Sequence, residues 1–233
     1  MCAGLALSLL QNSIVLVSIC RDKLASTLLP AVSKQWGDVV DGSAIAGFCS
    51  MGKAGIANLV QHAPQEYERT RLIFIVMPHI SISEEGQIGA PIGYLGKIRE
   101  ELERGHVDVQ LDPLDIEYST VKQKLFEKVK FGGRTPSLAA LTDAAADLAH
   151  DNVVALIKAT ISLEISDVAV VAGVQIHGPE AKDYVYVKKF YSIVQGDKQD
   201  HTDDLAGIVK KAGTAVENQS DLDLGGAMVP TGS

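Results

Sequence analysis

Two short runs constrain this chain more than anything else in it: "SIVLVSIC" at residues 13 to 20 and "TRLIFIVMPHISI" at residues 70 to 82. Both are rich in β-branched residues and apolar without strict alternation. A strand with apolar side chains on both faces has to be covered on both faces, as a central strand of a parallel sheet is. The intervening and later segments carry apolar residues at helical spacing and supply that cover. They are "LASTLLPAVSKQWG" (Pro30 marking a kink or break, Gly37 a stop), "GKAGIANLVQHAP" (closed by Pro64), "GYLGKIREELERG" and "STVKQKLFEKVK". In "SLAALTDAAADLAHDNVVALIKATI" one long helix or two are expected, with Ser137 a good N-cap.

Two more strands, "SDVAVVAGVQIHG" and "YVYVKKFYSIVQG", flank the polar turn "PEAKD", and Tyr184, Tyr186 and Lys188 alternate as if one face of the second were solvated. Strands are therefore expected at residues 13–20, 71–79, 167–176 and 183–195, and a closing helix at "TDDLAGIVKKAG". The whole predicts a single α/β domain over residues 1–213, a mainly parallel central sheet flanked by helices. The polar, Gly-rich segment 214–233 is expected to be a flexible tail.

Composition narrows the function classes. A chain of 233 residues with 46% hydrophobic content can build a full core, and its net charge of -8 with no run of Lys and Arg argues against nucleic acid or an anionic membrane as partner. The N-terminal apolar run is interrupted by Gln11 and Asn12 and lacks a basic leader, so it reads as neither a membrane span nor a secretory signal. Three cysteines, Cys2, Cys20 and Cys49, make no disulfide framework; reduced thiols and an intracellular, cytoplasmic location are the simpler expectation.

Two constellations carry chemistry. "GFCSMGKAG", residues 47 to 55, approaches a phosphate-binding P-loop through Gly47, Gly52 and Lys53. Such a loop needs a hydroxyl after the lysine to hold magnesium, and that position is Ala54, so a glycine-rich helix entry is the better reading. The second constellation joins Cys20 and His79, each at the C-terminal end of an apolar strand, where parallel sheets place their sites. Thiolate and imidazole are zinc ligands, and Arg21 beside Asp22 supplies an ion pair near them.

The ordered set "SICRDKL", "GKAG" then "QHAP", "FIVMPHISI", "STVKQKL", "ALT", "AVVAGVQIHG" and "YSIVQGD" resembles the limiting-CO2-inducible protein B (LCIB) family, a divergent branch of the β-type carbonic anhydrases. The resemblance runs from about Ser13 to about Leu205. It implies a β-carbonic anhydrase-like fold, a homodimer, and zinc held by cysteine, histidine and a second cysteine beside an aspartate-arginine dyad. Cys20 and His79 match the first two ligands, and Asp22 with Arg21 the dyad. Zinc would lower the pKa of bound water so that hydroxide attacks CO2.

One departure stands out: "IGYLGKIREELERG" puts Ile92 where the third ligand belongs, and no cysteine occurs after Cys49. Cys49 is then a weak substitute, its bland reading being a small buried apolar residue. Lys53 and His177, inside two of the matching motifs, are expected to line the pocket. The remaining histidines, His62, His106, His150 and His201, read as surface or packing residues, and Glu84 and Glu85 as solvated loop charges. Three functions are open on these residues. One is zinc-dependent reversible hydration of CO2 to bicarbonate, with zinc weak or absent. Another is a diverged lyase, hydrolase or isomerase acting on a small organic molecule in the same pocket. The third is a non-catalytic dimeric binding protein.

Overall fold

The computed structural model describes residues 13–21, 25–36, 38–66, 68–89, 93–105, 110–129, 135–179, 183–203 and 227–230. The expected strands are present among them, and so are the expected helices apart from the closing one, most of which lies outside these residues. β1 (Ile14–Ile19) lies between, and parallel to, β2 (Val39–Asp41) and β4 (Arg69–Met77), which a two-residue hairpin strand, β3 (Gln65–Glu66), precedes. The apolar run that reads as one strand over 71–79 is two in space: Pro78 separates β4 from β5 (His79–Ile82), which pairs with the short β6 (Ile88–Gly89). A prolyl nitrogen cannot donate to a ladder, so the strand breaks there.

β7 (Ser166–His177) runs parallel along both pieces, pairing Thr70 to Val76 with Ser166 to Ala172 and then His79 with Gln175. β8 (Asp183–Val194) turns the sheet antiparallel, and its far side is covered by β9 (Asp197–Asp200) and β10 (Ala227–Pro230). The last of these falls inside the segment expected to be a loose tail, so at least four of its residues are a sheet edge. The rest of that tail, most of the closing helix and the N-terminal run lie outside the described residues.

Alternation along the buried strands sends side chains to two cores. Leu16, Leu72, Phe74, Val168 and Val170 point to one face and pack under α2 (Gly52–His62) and α5 (Leu138–Thr160). Val15, Val17, Ile73, Ile75 and Ala169 point to the other, under α1 (Leu28–Trp36). Pro30 neither kinks nor breaks α1, because it falls in the first turn, where backbone N–H groups have no helical partner anyway. α3 (Tyr94–Glu103) and α4 (Ile116–Lys128) build a third cluster with α5 around Ile98, Leu125 and Leu141. Ser137 caps α5 by accepting a hydrogen bond from the backbone N–H of Ala140 at 3.1 Å, and α5 is one unbroken helix.

Candidate functional site

The register brings the two sequence-derived donors to one rim. Ile19 stands beside Met77 across β1 and β4, so Cys20 comes after β1 at the level where Pro78 and His79 come after β4. Cys20 is 4% exposed and His79 8%. The chain then turns outward at Arg21, whose Nη2 meets Glu117 Oε2 at 3.3 Å and whose Nε donates to the Ser43 carbonyl at 3.2 Å. Asp22, the other half of the expected dyad, lies outside the described residues, as does Ile92.

Glu117, in the first turn of α4, is a site residue that sequence reasoning missed. Its second oxygen, Oε1, accepts the backbone N–H of Ile45 at 2.6 Å. Ile45 opens a tight turn in which Ala46 and Gly47 both have left-handed backbone, at φ 54° and 69°. A Cβ on Gly47 would sit 2.5 Å from the Met77 carbonyl carbon, so only glycine lets this turn press against the strand break that carries His79. Glu117 therefore ties Arg21 and the turn beneath the rim to one helix.

Next to His79 is a polar chain, running from the buried Gln175 and His177 out to the exposed Thr27, that the sequence signalled only through "QIH". The His79 and His177 rings meet edge to face, with centroids 5.2 Å apart and planes at 70°. His177 Nδ1 lies 2.7 Å from Asp183 Oδ1. The other oxygen, Asp183 Oδ2, accepts from Thr27 Oγ1 at 2.6 Å, and Thr27 Oγ1 accepts from Gln175 Nε2 at 2.8 Å. Gln175 and His177 alternate with Ile176, so both leave β7 on the face opposite the Ile80, Val174 and Ile176 core. Asp183 opens β8 directly across from His177, and Thr27 comes from the turn before α1.

The other sequence candidates stand apart. Cys49 is buried, but in the core under α2 and α5, whereas Cys20 packs in the core under α1. Burial pushes the Cys49 thiol up, against a smaller downward pull from the Met51 backbone, which makes it a poor thiolate. Lys53 is exposed on the first turn of α2, and no strand leads directly into the glycine-rich segment, as a P-loop would require. His62 is exposed, His150 and His201 are bonded to Tyr191 and Ser192, and His106 lies outside the described residues.

Zinc chemistry can be tested against these donors. A buried thiol and a buried imidazole on one rim suit the metal, but a catalytic zinc ordinarily takes three protein ligands. Among the described residues no three His, Cys, Asp or Glu side chains stand together as a metal site. The resemblance puts Ile92 at the third position, and among the described residues Cys20 and His79 fall one ligand short of such a site.

A mainly parallel sheet covered by helices, with Cys20 and His79 at its strand ends, defines a carbonic anhydrase-like α/β protein. The family model for the limiting CO2-inducible proteins B/C, described as β carbonic anhydrases, matches residues 7–194, and the chain belongs to that family. Among solved structures it is similar to limiting CO2-inducible protein LCIB, at 24% identity and a TM-score of 0.71, covering 85% of this chain and 88% of that one. It is also similar to PtLCIB4, a homolog of that protein, at 20% identity and a TM-score of 0.68, covering 81% and 84%. No curated protein matches the chain. Among the described residues no helix is long and apolar enough to cross a membrane.

Proposed function

We propose that this chain is a diverged LCIB-type enzyme that acts on a small organic molecule at the Cys20–His79 rim, with ordinary zinc-dependent hydration of CO2 reduced to a trace. The observation that carries this reading is the donor set: Cys20 and His79 share the rim, and the family resemblance puts Ile92 at the third ligand position. An isoleucine cannot ligate zinc, and two protein ligands neither hold the metal tightly nor fix one open position for hydroxide. Thiol and imidazole still suffice for nucleophilic or acid–base work, while Arg21 turns outward and is held by Glu117. The family likeness further supports a homodimer, and the three cysteines support an intracellular protein.

Elemental analysis of protein purified without chelator tests the metal half, with substoichiometric zinc expected. Stopped-flow CO2 hydration by the wild type and by Cys20→Ser tests the reaction, with no rate above buffer expected from either. One tightly held zinc per chain and a rate that Cys20→Ser abolishes would return the protein to the carbonic anhydrases. Cys49 and Asp22 would then be the first candidates for the missing ligand.

A further inference from the structure

The outer edge of β8 is covered in two pieces that run the same way. β9 pairs with Tyr191 to Val194 and β10 with Tyr184 to Val187, both antiparallel to β8, and the bulge at Lys188 lies between them. Their attachments differ. β9 folds back from β8 through Gln195 and Gly196, whose left-handed backbone, at φ 54° and 85°, suits a tight hairpin. Just past β9, His201 donates its N–H to the Phe190 carbonyl at 2.7 Å, and the Thr202 hydroxyl accepts the Phe190 N–H at 3.0 Å. β10 returns to β8 only after the chain has run from Asp200 to Ala227, and a longer loop costs more entropy to close. β10 also ends the strand order, so β8 is its one neighbour in the sheet.

The alternation of the ladders says how β10 is held. The Gln175 N–H donates to the Pro78 carbonyl at 2.9 Å, away from β8, so Gln175 and Val185 form a non-hydrogen-bonded pair. Val185 therefore turns its own N–H and carbonyl outward, to β10, where Val229 stands opposite. Two residues along, Ala227 stands opposite Val187 in the same sense, which leaves Met228 and Pro230 facing away from β8. Pro230 has no N–H to give, and a strand accepts proline where that group would face outward, so the residue type agrees with the register. Four residues are thus ordered for two bonded pairs, which leaves only a small net gain for docking. The stretch of β8 that they cover begins at Asp183, whose carboxylate meets His177 and Thr27.

We propose that residues 227–230 are a detachable strap: docked on Val185 and Val187 they stiffen the start of β8, and released they loosen the contact of Asp183 with His177 beside His79. The strap goes beyond the functional reading above and holds whichever reaction the rim runs.

Native-state hydrogen exchange on the full chain tests the detachment. The amides of Ala227, Val229, Val185 and Val187 are expected to share one protection factor, at least about tenfold below that of Tyr186, whose N–H bonds to β7. Equal protection at Val185 and Tyr186 would show that β10 leaves only when the sheet itself opens, and would overturn the proposal. Proline substitutions separate the strap from the strand it covers. Val229→Pro removes an N–H that faces β8 and is expected to lower protection at Val185 and Val187 about tenfold while Tyr186 keeps its own. Met228→Pro removes one that faces away and is expected to leave all three within about twofold of wild type. Identical behaviour of the two variants would sink the docking geometry. The link to the rim is read from the His177 ring signals in the same samples, which should move in Val229→Pro and stay in Met228→Pro. Ring signals unchanged in Val229→Pro, with Val185 and Val187 deprotected, would overturn the coupling of strap to rim.

Discussion

Glu117 holds two things at once, the exposed guanidinium of Arg21 and the N–H of Ile45, and the two can be separated by substitution. Glu117→Gln keeps an acceptor for Ile45 but drops the ion pair. Little stability should be lost, because Arg21 is largely solvated, while the Arg21 side-chain N–H signals should exchange faster with water. Glu117→Ala also strips the acceptor from Ile45 and should cost about 1–2 kcal/mol in urea unfolding. If the two variants prove equally stable, the bond to Ile45 is not what secures the turn. No local pattern in the sequence announces Glu117, since it acts 72 residues from Ile45 and looks like any acidic residue opening a helix. Cys20 and His79 were legible because each ends an apolar strand. The polar chain at His177 was not, because Asp183 meets it only across the sheet and Thr27 joins through Asp183 from the turn before α1.

Among the elements, β7 and β8 carry the least legible feature. Their register slips between Ala172 and Gly173, leaving Lys188 as an extra residue on β8, where it pairs with Asp143 at 2.6 Å and Asp147 at 3.0 Å on α5. A bulge bends its own strand and shifts the register beyond it, and here that sets Gln175 opposite Val185 and His177 opposite Asp183. Strand patterns fix which residues alternate but not where one slips, so the bulge could not be read in advance. A Cβ on Gly173 would lie 2.0 Å from the Tyr186 carbonyl oxygen. Gly173→Ala should therefore destabilise by roughly 2–4 kcal/mol in chemical denaturation and shift the Gln175 and His177 resonances. Wild-type stability would show that the strands can part there at no cost. The same α5–β8 contact makes a pH-sensitive spot. Burial holds the His150 imidazole pKa below its ordinary 6.5, with Lys189 and Lys198 adding to the effect and Asp151 opposing it. The unfolded ring thus binds its proton at higher pH than the folded one. Stability is full above about 6.5 and falls as the pH drops through that value. Thermal melts should show a smaller loss over that window in His150→Gln than in the wild type. Asp151, held below its ordinary 3.8, acts only in a more acidic window.

At the scale of the molecule, the proposed function has the fold and the reaction part company at one position. The buried strands, their covering helices and the Cys20–His79 rim could all be anticipated, since each is dictated by how apolar residues are spaced. Whether the rim runs its family's chemistry depends on a ligand, and there the sequence has isoleucine. Ile92→Cys isolates that dependence. A third ligand on a preformed pair should raise zinc affinity at least tenfold, because the first two donors are already held by the sheet and little further ordering is needed. Competition with a chromophoric chelator would measure it, and the same samples in stopped-flow would show whether CO2 hydration rises with bound zinc. Affinity and rate rising together would make Ile92 the single step away from the family reaction. Zinc gained without a rate would mean that the pocket around the metal has changed as well. Neither gained would mean that the segment carrying residue 92 does not reach the rim, and the account of the lost ligand would fall with it.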